Sequence, residues 1–350
     1  MSISPWAIAG WALAAFLSCV ILSVLALRYA RWRQLLDLPG RRRSHAAPTP
    51  RGGGIAIVAT LLLALPWLAW ADLRVPWVFG LMLAAVAGIG WIDDHRPLTA
   101  RARIAVHILA AMAGVALLLA LYGNPLPSVP AILVAVLAVF WLTGCINAWN
   151  FMDGSNGLVT SQCLWLGLAL AYAFFRMADA GTAAAWPWAA IALVLAMACA
   201  GFLPFNFPRA SIFLGDVGSG ALGLTCGLLL LIAFWLGPGN IWLPILLSSA
   251  LLVDAGMTLL WRLISGRRWY TAHREHFYQW LIRRGNSHVR VAAGYLGWNL
   301  LVVLPVCAVI MHQPQWAMPG TLAVLALAVA TWWLGKGVMR RHMRRQGPFR

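Results

Sequence analysis

Asn147-Ala-Trp-Asn150-Phe-Met-Asp153-Gly-Ser-Asn156-Gly157-Leu158 sets amides, a carboxylate and two glycines directly after an apolar run. A lipid-facing helix has no use for that chemistry. Asparagine and aspartate hydrogen-bond a nucleotide or hold a hard cation through oxygen, and glycines let backbone N–H groups approach an anion. Only nine carboxylates occur in the 350 residues, so where they lie becomes the central question. The stretch reads as the floor of an active site at a membrane face.

The rest of the chain is the membrane around it. Hydrophobic residues make up 62%, charged residues 10%, and the mean hydropathy is +0.80. Soluble domains carry about a quarter charged residues, so this composition predicts an integral membrane protein, all-α and polytopic, with residues 1–350 forming one domain. The first apolar run, 5–27, exceeds the roughly 20 residues a bilayer requires. It lacks a small-residue cleavage site and reads as a retained anchor. Further runs at 54–70, 75–92, 104–121, 129–145, 163–175, 186–204, 220–236, 241–263, 291–311 and 317–335 bring the expected count to about eleven spans. The cysteines Cys19, Cys145, Cys163, Cys199, Cys226 and Cys307 are scattered through these runs and read as small buried hydrophobes.

A formal net charge of +17 would suit a nucleic-acid binder if the basic residues formed a patch. They are instead distributed among loops. All 26 except Arg74 and Arg176 fall after the first, third, seventh and ninth runs and in the tail. Arginine and lysine are retained in the cytoplasm, so this distribution predicts an outer N-terminus and an inner C-terminus. The carboxylates follow the same division. Asp72 and Asp179 fall in outer loops as solvated charges. Asp37, Asp93, Asp94, Asp153, Asp216, Asp254 and Glu275 map to the inner side, where several sit at depths that make charge expensive.

Adjacent carboxylates repel, so Asp93-Asp94 calls for a divalent ion or a basic partner such as Arg103. In Asn206-Phe-Pro-Arg209-Ala-Ser-Ile-Phe213-Leu-Gly215-Asp216-Val-Gly-Ser219-Gly220, an aromatic precedes Gly-Asp and a glycine-serine turn. Phe213 suits base stacking and ordinary packing equally well. His273-Arg274-Glu275-His276, with Asn286-Ser287-His288 beyond it, has arginine companions that repel a metal and attract phosphate, so it reads as an anion-binding loop. Arg41-Arg42-Arg43-Ser44-His45 leads to Pro48-Thr49-Pro50-Arg51-Gly52-Gly53-Gly54 at the mouth of the second run. No P-loop pattern is present. Asp, Asn and Gly on one membrane face, ringed by Arg and His, suit magnesium-dependent phosphoryl-type transfer between a soluble donor and a lipid-borne acceptor.

In this order, the motifs resemble those of the polyprenyl-phosphate N-acetylhexosamine-1-phosphate transferases, a superfamily that includes the phospho-N-acetylmuramoyl-pentapeptide transferase of peptidoglycan synthesis. The resemblance covers nearly the whole chain. It implies transfer of a sugar-1-phosphate from a UDP-N-acetylhexosamine to undecaprenyl phosphate with release of UMP, at a multi-pass bacterial inner membrane. The implied cofactor is Mg²⁺, or Mn²⁺ in its place, and dimers are common among such proteins. By this resemblance Asp216 is the metal ligand, Asp94 supports metal and diphosphate, and Asp93 orients or deprotonates the lipid phosphate. Asn150, Asp153 and Asn206 match nucleotide-recognition positions, Asn147 and Asn156 are further substrate-binding candidates, and Phe213 matches the aromatic that packs on uracil. His276, counted among the catalytic residues, falls with Arg274 in the loop that handles the diphosphate, and Arg51, Arg103 and His273 are further substrate-binding candidates.

The peptidoglycan branch has a triple histidine where this chain has Arg274-Glu275-His276. Its lysine-glutamine pair is replaced here by Arg103 and His107. These departures look more like the branch that starts O-antigen or other surface polysaccharides, with N-acetylglucosamine or deoxy sugars such as N-acetylfucosamine or N-acetylquinovosamine as donors. A transporter of anionic or lipid-linked solutes also places carboxylates near membranes, but the chain lacks the repeated halves of such folds. A CDP-alcohol phosphotransferase requires Asp-Gly-x-x-Ala-Arg, whereas Asp153-Gly154 is followed by Ser-Asn-Gly.

Overall fold

Inside a bilayer the backbone must satisfy its own hydrogen bonds, and the apolar runs accordingly fold as helices in a computed structural model. The structure describes residues 5–37, 48–68, 72–237, 240–268 and 273–346. Helix α1 (Pro5–Trp32) leads to an antiparallel pair of two-residue strands, β1 (Leu36–Asp37) and β2 (Thr49–Pro50), and then to α2 (Ile55–Ala64) with a 3-10 turn over Leu65–Leu68. Seven long helices follow: α3 (Arg74–His95), α4 (Ala100–Tyr122), α5 (Ala131–Met152), α6 (Leu158–Asp179), α7 (Trp186–Asn206), α8 (Gly215–Leu236) and α9 (Trp242–Ile264). The short α10 (Phe277–Arg283) precedes α11 (His288–Trp298), which a π-helical turn at Asn299–Val303 joins to α12 (Leu304–His312), and α13 (Ala317–Gln346) closes the bundle. The run Arg41, Arg42, Arg43, Ser44 and His45 lies outside the described residues.

Ten helices among the described residues are long and apolar enough to cross a membrane, α11 and α12 acting as one. The expected second span, 54–70, is corrected to the 10 residues of α2. With its 3-10 turn it covers about 23 Å by standard rises. It still carries the chain from end to end: Gly54 packs on Gly218 in the first turns of α8, and Leu65 packs on Gly80 near the start of α3. The sixth span, expected at 163–175, begins earlier and has 22 residues. The polar residues that obscured its start are buried between helices, where the Asn299 side chain donates to Gln162 Oε1 at 2.8 Å.

Helices also extend past their apolar runs into the motifs. Asp93, Asp94, Arg103, Asn147, Asn150 and Asp216 therefore lie on helix ends, not in loops, and the expected turn at Gly218-Ser219-Gly220 is helical. Lys336, expected in a solvated tail, is 2% exposed within α13. The cysteines are free thiols, buried except for the half-buried Cys307.

Helix α8 is the axis of the bundle. An amphipathic helix shows a polar face to water, but α8 is apolar all round and 94% of its apolar window is buried. Its glycines permit this packing: a methyl on Gly223 would strike the backbone of Cys145 and Ile146 in α5, and one on Gly90 of α3 would strike the Asp216 carbonyl. Among the described residues, the motifs gather at the end of the bundle where α8 begins. There Tyr29 meets His95 at 3.3 Å, Tyr278 Oη donates to the Phe151 carbonyl at 3.0 Å, and Ser155 meets His288 at 3.0 Å. At the opposite end Trp188 donates to Tyr122 at 2.8 Å and Trp235 to the Gly123 carbonyl at 2.9 Å.

Candidate active site

The start of α8 depends on one glycine and one buried carboxylate. Gly215 has φ +76°, and a Cβ there would lie 2.6 Å from Asp94 Oδ2. Without a side chain in the way, the Asp94 carboxylate, 3% exposed, accepts the backbone N–H groups of Asp216 and Val217 at 3.2 and 3.1 Å. It caps the positive end of the helix dipole. Arg51, carried by β2 and the glycine turn after it, donates to the Asp94 carbonyl from its guanidinium. Gly53 N–H donates to the Phe213 carbonyl at 2.9 Å, so the first loop and the loop before α8 are stitched together.

Above this junction opens a cavity of about 500 Å³. Small-molecule sites span about 300–1,000 Å³. Of the residues singled out from the sequence, Arg51, Asp94, Asp153, Asn156, Asn206, Phe213, Asp216 and Arg274 line it. Asp93 and Arg103 stand beside it: Arg103 Nη1 donates to Asp93 Oδ2 at 2.9 Å and to Asp216 Oδ2 at 2.8 Å, while Asp93 Oδ1 accepts the Leu98 N–H at 2.6 Å. One guanidinium thus holds two carboxylates from different helices together.

Asn147 turns back onto its own helix, donating to the Thr143 carbonyl at 2.7 Å, and neither it nor Asn150 lines the cavity. Asn206 lines it with its polar atoms already engaged: Oδ1 accepts from Gly157 N–H at 2.9 Å and Thr160 Oγ1 at 3.2 Å, and Nδ2 donates to the Ile212 carbonyl at 3.1 Å. It clasps the loops. His276, expected to be catalytic, is 2% exposed, stacks on Phe151 at 5.9 Å and faces Asp254 at 4.0 Å, outside the cavity lining. His273 packs beside it at 4.9 Å and is likewise outside the lining. Burial first, then His276 and Arg262, push the His273 imidazole down to about 4. Burial outweighs Asp254 and lowers His276 as well.

Five lining side chains are not among the site residues expected from the sequence: Asp37, Ser155, Gln279, Ile282 and Arg283. The β1–β2 pairing, with Asp37 opposite Thr49, brings Asp37 to the rim. Gln279, Ile282 and Arg283 share the i, i+3, i+4 face of α10 and all three line the cavity, a signal visible in the sequence once a helix is assigned there.

The cavity is lined by charges of both signs: the carboxylates of Asp37, Asp94, Asp153 and Asp216 and the guanidinium groups of Arg51, Arg274 and Arg283. Among the described residues nothing hydrogen-bonds the Asp153 carboxylate. Burial above all, then the charges of Asp216 and Asp94, push it well above the usual carboxylate range. A neighbouring cation would reverse that penalty, and carboxylate oxygens are the donor type a hard divalent ion takes. Among the described residues no group of three or more His, Cys, Asp or Glu side chains is placed to hold a metal ion.

The family model described as glycosyl transferase family 4 matches residues 76–234, which include Asp93, Asp94, Asp153 and Asp216. A decaprenyl-phosphate N-acetylglucosaminephosphotransferase of Mycolicibacterium smegmatis is 31% identical over 344 residues, covering 88% of this chain and 82% of its own. An undecaprenyl-phosphate alpha-N-acetylglucosaminyl 1-phosphate transferase of Thermotoga maritima is 30% identical over 60% of each chain. A phospho-N-acetylmuramoyl-pentapeptide-transferase of Moorella thermoacetica is 34% identical over 53% of this chain and 63% of its own. With one relative matched over most of both lengths, and the carboxylates gathered by the fold inside the matched region, the chain belongs to the polyprenyl-phosphate N-acetylhexosamine-1-phosphate transferase family within glycosyl transferase family 4.

Proposed function

We propose that the protein transfers an N-acetylhexosamine-1-phosphate from a UDP-sugar to undecaprenyl phosphate, releasing UMP and starting an O-antigen or another surface polysaccharide. The observation that carries this reading is the cavity at one membrane end, lined by Asp94, Asp153 and Asp216 near the mouth of α8 together with Arg51 of the first loop, Arg274 and Arg283. The arginine-rich loops favour a cytoplasmic position for that end at the inner membrane.

Phosphoryl-type transfer requires positioning and charge neutralisation more than covalent chemistry from the protein. Arg274 and Arg283 suit the donor diphosphate, because guanidinium groups pair with phosphate in a bidentate manner. Phe213, which lines the cavity, offers a face to the base. Asp153 and Asp216, backed by Asp94, would hold Mg²⁺, which when bound neutralises charge on the diphosphate. Arg103 ties Asp216 to Asp93 beside the cavity and guides the acceptor phosphate, already anionic, toward the donor. An acceptor oxygen bonds to the sugar-bearing phosphorus, the bond from that phosphorus to the bridging oxygen breaks, and UMP leaves with the electron pair. No proton has to be removed from a dianionic acceptor.

UMP release by the purified protein with Mg²⁺, undecaprenyl phosphate and a panel of UDP-sugars tests the reading. UMP appears with one or more N-acetylhexosamine donors and disappears when a chelator is in excess. Full turnover in excess chelator overturns the metal assignment, and no turnover with any UDP-sugar overturns the donor class. Preference for the muramoyl-pentapeptide donor would move the protein to the peptidoglycan branch.

A further inference from the structure

The chain has 26 basic residues, and Lys336 is its only lysine. Every solvated cation is therefore an arginine, and the one ammonium is buried on the last helix, 2% exposed. A buried charge is costly unless it is paired. Lys336 Nζ donates to Thr258 Oγ1 of α9 at 3.2 Å and to the backbone carbonyl of Glu275, and it lies 4.1 Å from the centre of the Trp332 ring. A lysine suits this place because its compact head sits on a flexible stem, whereas a guanidinium needs a planar slot.

Glu275 is held from three sides. Its carboxylate takes Arg262 at 2.5 Å and Arg267 at 3.0 Å, and Lys336 takes its carbonyl. On either side of it, Arg274 lines the cavity and His276 begins α10. The next residue, Phe277, is wedged against α13 at the position before the lysine: a Cβ on Gly335 would lie 2.4 Å from Phe277 Cε2. Two consecutive residues of α13 thus grip the segment that delivers Arg274, Gln279 and Arg283, although neither lines the cavity.

We propose that Lys336, with Gly335, is a positioning residue for the donor: it fixes the Glu275 backbone so that Arg274 meets the donor phosphates. This rests on the donor reading above. The consequence is a split in kinetic constants, since a misplaced Arg274 weakens donor binding and leaves the acceptor side, built on α3, α4 and α8, intact.

The test measures kcat and both KM values for wild type, Lys336→Met, Gly335→Ala, Arg274→Ala and the Lys336→Met/Arg274→Ala double variant, with thermal unfolding as a check on folding. Lys336→Met is expected to raise the donor KM about tenfold, the scale of one charge-assisted hydrogen bond, with the acceptor KM and kcat within about twofold. Gly335→Ala keeps the lysine, displaces Phe277 and gives the same split in smaller measure, so the idea stays testable if Lys336→Met does not fold. Because both act through Arg274, the double variant is no worse than Arg274→Ala alone. A folded Lys336→Met or Gly335→Ala with wild-type donor KM, or losses that multiply in the double variant, overturns the proposal. If Arg274→Ala itself leaves the donor KM unchanged, the donor reading fails instead.

Discussion

Asp94 and Asp254 make the same contact in two different surroundings. Each is a buried aspartate, 3% exposed, on a membrane helix, and each accepts two consecutive backbone N–H groups at the start of another helix. Asp94 takes those of Asp216 and Val217, and Asp254 those of Phe277 and Tyr278 at 2.6 and 3.2 Å. Around Asp254 the remaining partners complete a structural knot: Tyr295 Oη at 2.7 Å, Thr258 Oγ1 at 3.3 Å and the His276 ring. Around Asp94 lie Asp153 and Asp216, like charges that folding alone would disfavour. A helix cap explains both aspartates, and only the company of further carboxylates separates a site from a scaffold.

The largest effect is expected where capping has no part. Asp216→Ala removes a carboxylate held by Arg103, without touching the Asp94 cap. UMP release should fall about a thousandfold, the scale of losing a principal electrostatic group. Its unfolding temperature should stay near that of wild type. Turnover within a few-fold of wild type would erase the distinction between the two regions. Asp254→Ala should do the reverse. It strands Tyr295 and two backbone N–H groups, and losses of about 3–5 kcal/mol are typical when a buried charged partner is removed. Chemical denaturation would show this, while each folded molecule keeps turnover within about tenfold of wild type. Loss of turnover in folded Asp254→Ala as deep as in Asp216→Ala would place Asp254 in the chemistry.

Acid should separate the regions by sign. Asp153 has a raised carboxyl value, so it adds stability at low pH that is lost as pH rises through that value. Asp153→Asn removes a carboxyl whose ionised form is crowded by Asp216 and Asp94, so the variant should become harder to unfold than wild type as pH rises while staying poorer at turnover, as expected of strain stored at a site. His273 behaves oppositely. With the folded value near 4 and the ordinary one 6.5, its contribution is present above pH 6.5 and lost as pH falls toward 4. The unfolding temperature of wild type should fall more steeply from pH 7 to 4.5 than that of His273→Phe. Parallel curves would mean that the histidine is solvated.

What was legible in the sequence follows the same division. Long apolar runs, the arginine asymmetry and the scarcity of carboxylates sufficed for an all-α membrane bundle and for the cluster Asp94, Asp153, Asp216, because charge near a membrane carries a high cost wherever it lies. Helix ends were less legible. Ser161 and Gln162 read as loop yet are buried in α6, since neighbouring helices satisfy them. His276 and Asn206 read as ligands because polar residues in a motif suit a substrate and a backbone clasp equally well, and only their partners in space decide. Asp37 and Gln279 were missed because a two-residue strand and a seven-residue helix leave almost no periodic pattern.

The smallest effect is expected at the far end of the bundle, at Asp72. Its carboxylate takes both the backbone N–H and the guanidinium of Arg74 at 2.8 and 2.7 Å, and that side-chain hydrogen bond holds it below the usual range. The pair is solvated, and exposed pairs are screened by water and salt. It is also separated from the cavity by the length of α3, whose other end carries Asp93 and Asp94. Asp72→Asn should therefore leave UMP release within about twofold of wild type, with the unfolding temperature essentially unmoved. A loss approaching that of Asp216→Ala would require Asp72 and Asp216 to share a site. The alternation of helices that puts them at opposite ends of the bundle would then be wrong, and with it the separation of scaffold from chemistry.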